Sequence, residues 1–307
     1  MTFSRILVNV DPLDHEHPAL DQAVALAARM QSAITIVDVL PDVPERARPF
    51  VTDRVEQELV DHRWQLLQKM SDARGGGRFG TSVLRGSPAI SLVQEVQRGR
   101  YDLLIRAHGR TGDLPRAFGP VDMQLLRKCP CPVWLVGPSA RPQPRRILAA
   151  IDASCNDPGE AALNQSVLDH ALAVGDPAGT HVAVLYAWFV FGYDVLQPRL
   201  SAREFTELVA SAQTTAEANL AGAVTALGER RHLVEPVLMQ GEPREVIPAY
   251  ANGHNIDLVV MGTVARTGIA GFVMGNTAEW ILNQLRSSVL AIKPAGFVSP
   301  VKPDARS

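Results

Sequence analysis

The chain has 307 residues, 46% of them hydrophobic, with 30 Lys and Arg residues against 32 Asp and Glu residues. This length favours two domains of about 150 residues each. The near-balanced charge argues against nucleic acid as a partner, because binding to a phosphate backbone needs a basic surface. No apolar run approaches the roughly 18 residues of a transmembrane helix. The N-terminus lacks a signal pattern, so we expect a cytoplasmic protein without membrane partners.

The first half alternates apolar, strand-like runs with segments of helical spacing. Strands are predicted at residues 5–11, 33–40, 81–86, 102–105 and 132–136. Helices are predicted at residues 18–30, 52–71, 88–97 and up to 126. Cys129 and Cys131 lie just before the last strand, and with Cys155 they are too few for a disulfide scaffold. Their CxC spacing, without a nearby histidine pair, disfavours a zinc site.

The second half repeats this order after a linker rich in proline. Strands are predicted at residues 145–152, 181–189, 232–239, 258–261 and 288–292. Helices are predicted at residues 161–174, 202–227 and 243–252, and from 276 onward. Matching anchors recur in one order, including Asp11 with Asp152 and Gly86-Ser-Pro with Gly241-Glu-Pro. The repeat predicts two tandem α/β domains, each a doubly wound parallel sheet of five strands.

The predicted domain bounds follow from the repeat and from the composition between the halves. They are residues 1–138 for the first domain, 139–145 for the linker, 146–294 for the second domain and 295–307 for the tail. The tail is polar and contains prolines, so it is predicted to be mobile.

A glycine-bounded loop in the second half is the main candidate for a ligand site. The apolar run at 258–261 ends at Gly262, and Gly275 opens an amphipathic segment. Asn276 and Glu279 in that segment have the spacing of a capping box. In a doubly wound sheet this loop lies beyond the carboxyl ends of the strands, where ligands bind. Backbone N–H groups at the start of the following helix would attract a phosphate.

Over essentially its whole length the chain resembles the universal stress protein family, and in particular its tandem two-domain members of the E type. The nucleotide-binding pattern of that family is Gly-x-x-Gly, nine residues, then Gly followed by Ser or Thr. This chain places Gly262, Ala265, Gly275, Asn276 and Thr277 along it. Ala265 adds a methyl group where the backbone passes the phosphates, and Asn276 replaces a hydroxyl by an amide that can still donate.

The resemblance implies an adenine-nucleotide site for ATP, with Mg²⁺ if ATP is bound. In the family, the aspartate that ends the first strand contacts adenine or ribose. The implied site residues are Ala150, Asp152, Ala187, Met261, Gly262, Ala265, Gly275, Asn276 and Thr277. The implied fold is Rossmann-like, of the adenine nucleotide alpha hydrolase type, with the two domains paired as an intramolecular pseudo-dimer through the apolar strands at 132–136 and 288–292.

The first half departs further from the family pattern. Arg106 falls near the place that Gly262 has in the second half, and Pro120 lacks the N–H that would donate to phosphate. Asp113 and Asp122 add negative charge where a phosphate would lie. We therefore expect that the first half does not bind ATP in the family's manner. Arg106 would instead serve a contact between the halves or bind a different anion.

Several features admit two interpretations. Asp11 and Asp152 can cap the turn after the first strand of each half instead of binding a ligand. His15 and His17, beside two aspartates, could bind a metal, although histidines in a polar loop are more often solvated. The aromatic insertion at 189–200 could cover apolar surface, contact the other half or form a wall of the ligand cavity.

Three functional hypotheses follow. The first is a nucleotide-binding stress-response protein whose ATP site in the second domain acts as a sensor or switch, non-enzymatic or at most weakly hydrolytic because no catalytic base is visible. The second is a scaffold or interaction protein whose clefts hold another small or lipid-like ligand. The third is a nucleotide hydrolase, which would need a general base beside the γ-phosphate. The pattern assigns no catalytic and no metal-binding residue, and it leaves open a further homo-oligomer.

Overall fold

The computed structural model describes residues 2–108, 118–137, 140–154, 157–266 and 272–303. The chain forms two compact units. The first comprises Met1–Gln143, Ser288–Ala291 and Phe297–Ser307, and the second comprises Pro144–Ser287 and Ile292–Gly296. In the described ranges, every helix is too short or too polar to cross a membrane.

The first unit is a parallel sheet with helical connections. Its parallel strands are β1 (Arg5–Asn9), β2 (Ala33–Leu40), β3 (Gly80–Arg85), β4 (Leu103–Ala107) and β5 (Val133–Val136). Its helices are α1 (Pro18–Met30), α2 (Asp53–Gly75), α3 (Pro88–Gly99) and α4 (Pro120–Lys128). The strand order is β3-β2-β1-β4-β5, so the chain winds outward from β1 in both directions. The predicted doubly wound sheet is confirmed.

The second unit repeats the arrangement. Its strands are β6 (Arg146–Ile151), β7 (His181–Trp188), β8 (Val234–Gln240), β9 (Leu258–Gly262), β10 (Val264–Arg266) and β11 (Phe272–Met274). The last strand of the chain, β12 (Ser288–Ile292), belongs up to Ala291 to the first unit. The helices of the second unit are α5 (Pro158–Val174), α6 (Tyr193–Leu196), α7 (Ala202–Thr225), α8 (Pro243–Gly253) and α9 (Asn276–Leu282), with a 3₁₀ helix at Gly228–Leu233. The parallel strands lie in the order β9-β6-β7-β8. β10 and β11 pair antiparallel in the stretch predicted to be a loop, where valine and phenylalanine favour strands.

Proline and glycine set the strand-to-helix turns in both halves. Helices α3 and α8 both begin with proline, whose fixed φ suits the first helical position. Gly86 before α3 and Gly241 before α8 have φ of +107° and +135°. Each donates its N–H to the neighbouring strand, to Leu40 at 3.0 Å and to Trp188 at 2.8 Å. Because L side chains rarely adopt such φ values, the repeated glycines are required by the backbone.

The two closing strands pair with each other. β12 lies antiparallel to β5, with Val289 opposite Leu135 and Ala291 opposite Val133. Every residue of β5 and β12 is buried, and the Gly137 N–H donates to Ser288 Oγ at 3.0 Å. The pairing covers an apolar strand edge that would otherwise favour aggregation.

The predicted mobility of the tail is wrong for its described part. Val301 is buried, and its carbonyl oxygen accepts a hydrogen bond from Gln97 Nε2 at 3.1 Å. The carbonyl oxygen of Lys302 accepts another from Gln94 Nε2 at 3.3 Å. Both glutamines lie on α3, so two side-chain amides and one buried valine hold a segment whose polar composition suggested disorder.

His170 makes the stability of the second unit depend on pH. Its Nδ1 donates to the carbonyl oxygen of Ser166 at 2.6 Å within α5, and burial lowers the pKa of His170 below its ordinary 6.5. The unfolded chain therefore takes up this proton at a higher pH than the folded chain. Stability from this source is complete above about pH 6.5 and falls as the pH drops through the folded pKa.

We expect His170→Gln to lose less stability than the unaltered chain between about pH 7.5 and pH 5. Urea denaturation at each pH measures the difference. Some decline will remain in the variant, because burial also lowers the pKa of His17 and of His108. Equal declines in both proteins would contradict the assignment to His170.

Candidate functional site

A cavity of ≈ 830 Å³ lies at the carboxyl ends of β6, β7 and β9. The lining includes seven of the nine site residues predicted from the sequence, namely Ala150, Asp152, Ala187, Met261, Gly262, Gly275 and Thr277. Asn276 is exposed and does not line the cavity. Ala265 belongs to β10, and its side chain lies outside the described part of the structure, as does that of Arg266.

The two glycines that bound the predicted loop differ in whether their position requires a glycine. A Cβ at Gly262 would lie 2.8 Å from Leu163 Cδ2 of α5, so a larger residue would displace that side chain. Gly275 has φ of −68° and ψ of 139°, which other residues can adopt. Its N–H donates to the carbonyl oxygen of Thr263 at 3.3 Å, which holds the two ends of the loop together.

The start of α9 differs from the predicted capping box. Gly275, not Asn276, is the N-cap residue, and as a glycine it makes no side-chain capping hydrogen bond. Asn276 is already the first helical residue, so its side chain cannot reach back over the helix start. The helix has only seven residues.

Asp152 both caps a turn and lines the cavity. Its Oδ1 accepts hydrogen bonds from the N–H of Ser154 at 3.0 Å and from Ser154 Oγ at 2.5 Å. Asn164 of α5 fixes its backbone, donating from Nδ2 to the Asp152 carbonyl oxygen at 2.6 Å. Asp11 makes the same turn in the first unit, accepting from the N–H of Leu13 at 3.0 Å. Both aspartates therefore cap the turn after the first strand of their half. Asp152 in addition lines the cavity of ≈ 830 Å³.

The sequence analysis missed Tyr186 and Asn219 as cavity residues. Tyr186 lies on β7 and Asn219 on α7, and both line the cavity. Burial raises the pKa of Tyr186 above its ordinary 10.0, as does the charge of Asp152, while hydrogen bonds with the side chains of Ser154 and Asn219 oppose the shift. Tyr186 therefore keeps its proton at neutral pH. The spacing of apolar residues in α7 gives no signal for Asn219, because only the fold brings that helix to β7.

Charged groups near the cavity are mostly carboxylates. Among the described lining residues, the ionisable carboxylates are Asp152, Glu160 and Glu242, and lysine and arginine are absent. Lys293 is 8% exposed just behind the wall, and its Nζ donates to Oγ1 of the lining Thr263 at 3.3 Å.

The aromatic insertion contributes to the cavity wall. Phe189 and Phe191 both line the cavity, and α6 forms a single turn after them. The Tyr193 ring packs edge-on against Phe205 of α7, with ring centroids 5.0 Å apart. The cavity-wall interpretation therefore describes these two phenylalanines.

An internal ion pair occupies the corresponding place in the first unit. Arg106 Nε donates to Asp122 Oδ1 at 2.9 Å, and Arg106 Nη1 donates to Asn9 Oδ1. Asp122 is 2% exposed and also accepts from the N–H of Gly119 at 2.9 Å. These partners of Arg106 lie within its own unit, and Arg106 also lines a cleft of that unit, so the two roles expected from the sequence stay predictions.

Two aspartates that line the first unit's cleft of ≈ 670 Å³, Asp11 and Asp38, share one arginine as ionic partner. Arg63 of α2 bridges Asp11 at 2.6 Å and Asp38 at 3.1 Å. Burial raises the pKa of Asp38, and the Arg63 charge opposes the shift. His108 is half-buried against Phe118, with ring centroids 5.0 Å apart.

The remaining candidates in the first half are the two histidines near Asp11 and the pair of cysteines. Over the described ranges, no three His, Cys, Asp or Glu side chains converge as metal ligands, and this includes the surroundings of His15 and His17. Cys129 and Cys131 are buried thiols with their Sγ atoms 3.5 Å apart. Asp113 and Cys155 lie outside the described residues.

Comparison with known proteins bears on this arrangement. The family model described as "Universal stress protein family" matches residues 2–137 and again 144–293. The chain belongs to the universal stress protein family. The two matches confirm the tandem resemblance, and the family places the chain among stress-response proteins.

Two relatives align with the chain over nearly the whole length of both proteins. Universal stress protein E of Escherichia coli strain K12 and that of Salmonella typhi are each 29% identical over 313 residues, covering 98% of this chain and 98% of the relative. A crystal structure of a universal stress protein from Archaeoglobus fulgidus has a TM-score of 0.65 at 16% identity, covering 96% of this chain and 98% of that chain. At that identity the structural likeness shows the fold alone.

Proposed function

We propose that the second unit binds an adenine nucleotide, with ATP as the first candidate, and that the protein acts as a nucleotide-dependent sensor or switch in the stress response. The observation that carries the proposal is the convergence on one cavity of seven of the nine residues that the family resemblance implies. They come from β6 and the turn after it, from β7 and β9, and from the start of α9 and its N-cap, and they are brought together only by the fold.

The cavity fits a ligand of this class. Its volume of ≈ 830 Å³ falls within the range of about 300–1,000 Å³ that is typical of small-molecule sites. Gly262 leaves backbone exposed to the cavity where a Cβ would press on Leu163. By the family pattern, Asp152 would contact the adenosine part, and Gly262, Gly275 and Thr277 would lie along the phosphates. Mg²⁺ would enter with the nucleotide.

The proposed role is binding, with slow hydrolysis at most. A hydrolase needs a general base within reach of the attacking water at the γ-phosphate. Of the three lining carboxylates, Asp152 is bonded to Ser154 and lies at the adenosine end by the family pattern, and that pattern places neither Glu160 nor Glu242 at the γ-phosphate. We therefore assign no catalytic residue.

A second candidate is a ligand with a large apolar part, and the wall of the cavity favours it. Trp188, Phe189, Leu163 and Ile247 line the cavity together with carboxylates. Apolar side chains stabilise a ligand by removing its surface from water, and the carboxylates would repel a triphosphate unless Mg²⁺ accompanies it.

Ligand competition separates the two candidates. Trp188 lines the cavity, so its fluorescence should change when Mg²⁺-ATP binds, and a Trp188→Phe variant identifies that signal among the four tryptophans. The nucleotide proposal predicts saturable binding of Mg²⁺-ATP. Dodecanoate should bind with lower affinity, so an excess of it should not displace the nucleotide. Saturable binding of dodecanoate with no response to ATP would contradict it and support the second candidate.

A further inference from the structure

A lysine is buried directly behind the wall of the second unit's cavity. Lys293 follows β12 and is 8% exposed, and its Nζ donates to Thr263 Oγ1 at 3.3 Å. Thr263 is 1% exposed, lines the cavity and follows Gly262 at the end of β9. The function proposed above assigns no role to this lysine, although burying a charged group costs free energy that the fold must offset.

Thr263 connects the lysine to both ends of the glycine loop. Its backbone follows Gly262 directly, and its carbonyl oxygen accepts the N–H of Gly275 at 3.3 Å. The hydroxyl of the same threonine accepts from Lys293. The ammonium group therefore lies one hydrogen bond behind the segment along which phosphates would lie by the family pattern.

The charge of Lys293 is opposite to the charges that line the cavity. Asp152, Glu160 and Glu242 line it, whereas no lysine or arginine occurs among the described lining residues. These carboxylates disfavour an anion, so a phosphate site here needs positive potential from another source. A cation behind the wall lies in a medium of lower dielectric constant than water and is screened little by salt, so its field reaches across the loop.

We infer that the charge of Lys293 makes the loop between β9 and α9 select ligands that carry phosphate. This inference rests on the proposed function and assigns the phosphate preference to a residue outside the family's nucleotide-binding pattern. Lys293 acts through the loop, so it is a positioning residue that determines specificity. The uncharged adenosine part of the ligand would not respond to it.

Substitutions at Lys293 separate its charge from its hydrogen bond. Lys293→Gln keeps a donor for Thr263 and removes the charge, Lys293→Met removes both, and Lys293→Arg keeps both. Arg203→Gln is the matched control, because it removes the same charge from α7, where the Arg203 side chain is 89% exposed and lies 2.9 Å from Glu207. Calorimetry of each intact chain with ATP and with adenosine, both in the presence of Mg²⁺, measures the affinities, and circular dichroism checks folding.

Lys293→Gln and Lys293→Met should each weaken ATP binding by about tenfold or more and change adenosine binding by less than about twofold. Lys293→Arg should keep the ATP affinity within about threefold of the unaltered chain. Arg203→Gln should leave both affinities unchanged, because its charge is screened by solvent. The contrast between Lys293→Gln and Lys293→Arg decides even where adenosine binds below detection.

A lysine that only supports the fold would give different results. Its replacement would weaken ATP and adenosine equally, or Lys293→Gln would retain ATP binding through the hydrogen bond to Thr263. Either result overturns the inference, as does the loss of folding in both neutral variants. If one of them folds, its affinities provide the test.

These outcomes separate the inference from the proposed function. ATP binding that Lys293→Gln and Lys293→Met leave unchanged contradicts only the role of Lys293, and so does an unaltered chain that binds adenosine as tightly as ATP. No binding of ATP or adenosine to the unaltered chain contradicts the proposed function and removes the inference with it.

Discussion

Replacing Arg106 by methionine is expected to destabilise the first unit by about 3–5 kcal/mol. The arginine is the ionic partner of Asp122, whose side chain is 2% exposed. Methionine fills a similar volume but leaves the buried carboxylate without its counter-charge. Removing one partner of a buried pair costs far more than the pair contributes, because the remaining charge stays desolvated.

Hydrogen exchange of the β4 amides measures this loss locally, since β4 carries Arg106 and lies between β1 and β5 in the first unit's sheet. The double variant Arg106→Met with Asp122→Asn should recover part of the protection, because it removes the unpaired charge. Arg54→Met is the matched control. Its partner Glu58 lies 2.9 Å away on the surface, so the loss should stay below about 1 kcal/mol. Equal losses of stability in Arg106→Met and Arg54→Met would contradict the proposed role of Arg106 as the counter-charge of Asp122.

Gly275→Trp is expected to weaken ATP binding by more than about 100-fold. The glycine lines the cavity, and its φ and ψ are open to a tryptophan, so the change fills the site without straining the backbone. An indole is among the largest side chains, and it would displace the ligand from the loop between β9 and α9. Equilibrium dialysis with labelled ATP measures the loss.

Gly179→Trp provides the control for Gly275→Trp. A Cβ at Gly179 meets no heavy atom within 4 Å, and the residue is absent from the cavity lining. Its ATP affinity should match that of the unaltered chain, and circular dichroism should show both variants folded. Unchanged affinity in Gly275→Trp would mean that the nucleotide does not pass this loop.

The repeat made the fold predictable. Matching residues such as Gly86 and Gly241 mark the same backbone turn twice, and both have the positive φ that requires glycine. The apolar run 258–261 became a buried strand because parallel sheets are covered on both faces. The family match over 2–137 and 144–293 agrees with the division seen in the sequence.

The parts that the sequence did not predict depend on tertiary contacts. The first turn of α9 starts one residue earlier than its capping pattern suggested, because Gly275 already takes the extended conformation of an N-cap. The segment near Val301 packs on α3 through amides of two glutamines that carry no sequence signal. Asn219 reaches the cavity from a helix far along the chain, so no local pattern points to it.

Arg106 shows how the same limit affects function. Arg106 falls near the place that Gly262 has in the second half, which suggested that the first half binds a different anion or uses Arg106 to contact the other half. The structure pairs it with Asp122 and Asn9 inside the unit. The spacing of residues along the chain showed that the first half departs from the family pattern. Asp122 could be identified as the partner of Arg106 only from the structure, in which β4 and α4 bring the two side chains together.

The most direct test of the central proposal is titration calorimetry of the intact chain with ATP in the presence of Mg²⁺. Our account predicts one nucleotide bound per chain, in the second unit. Two bound nucleotides would contradict the assignment of the first unit as unable to bind ATP, and no binding would contradict the nucleotide site itself.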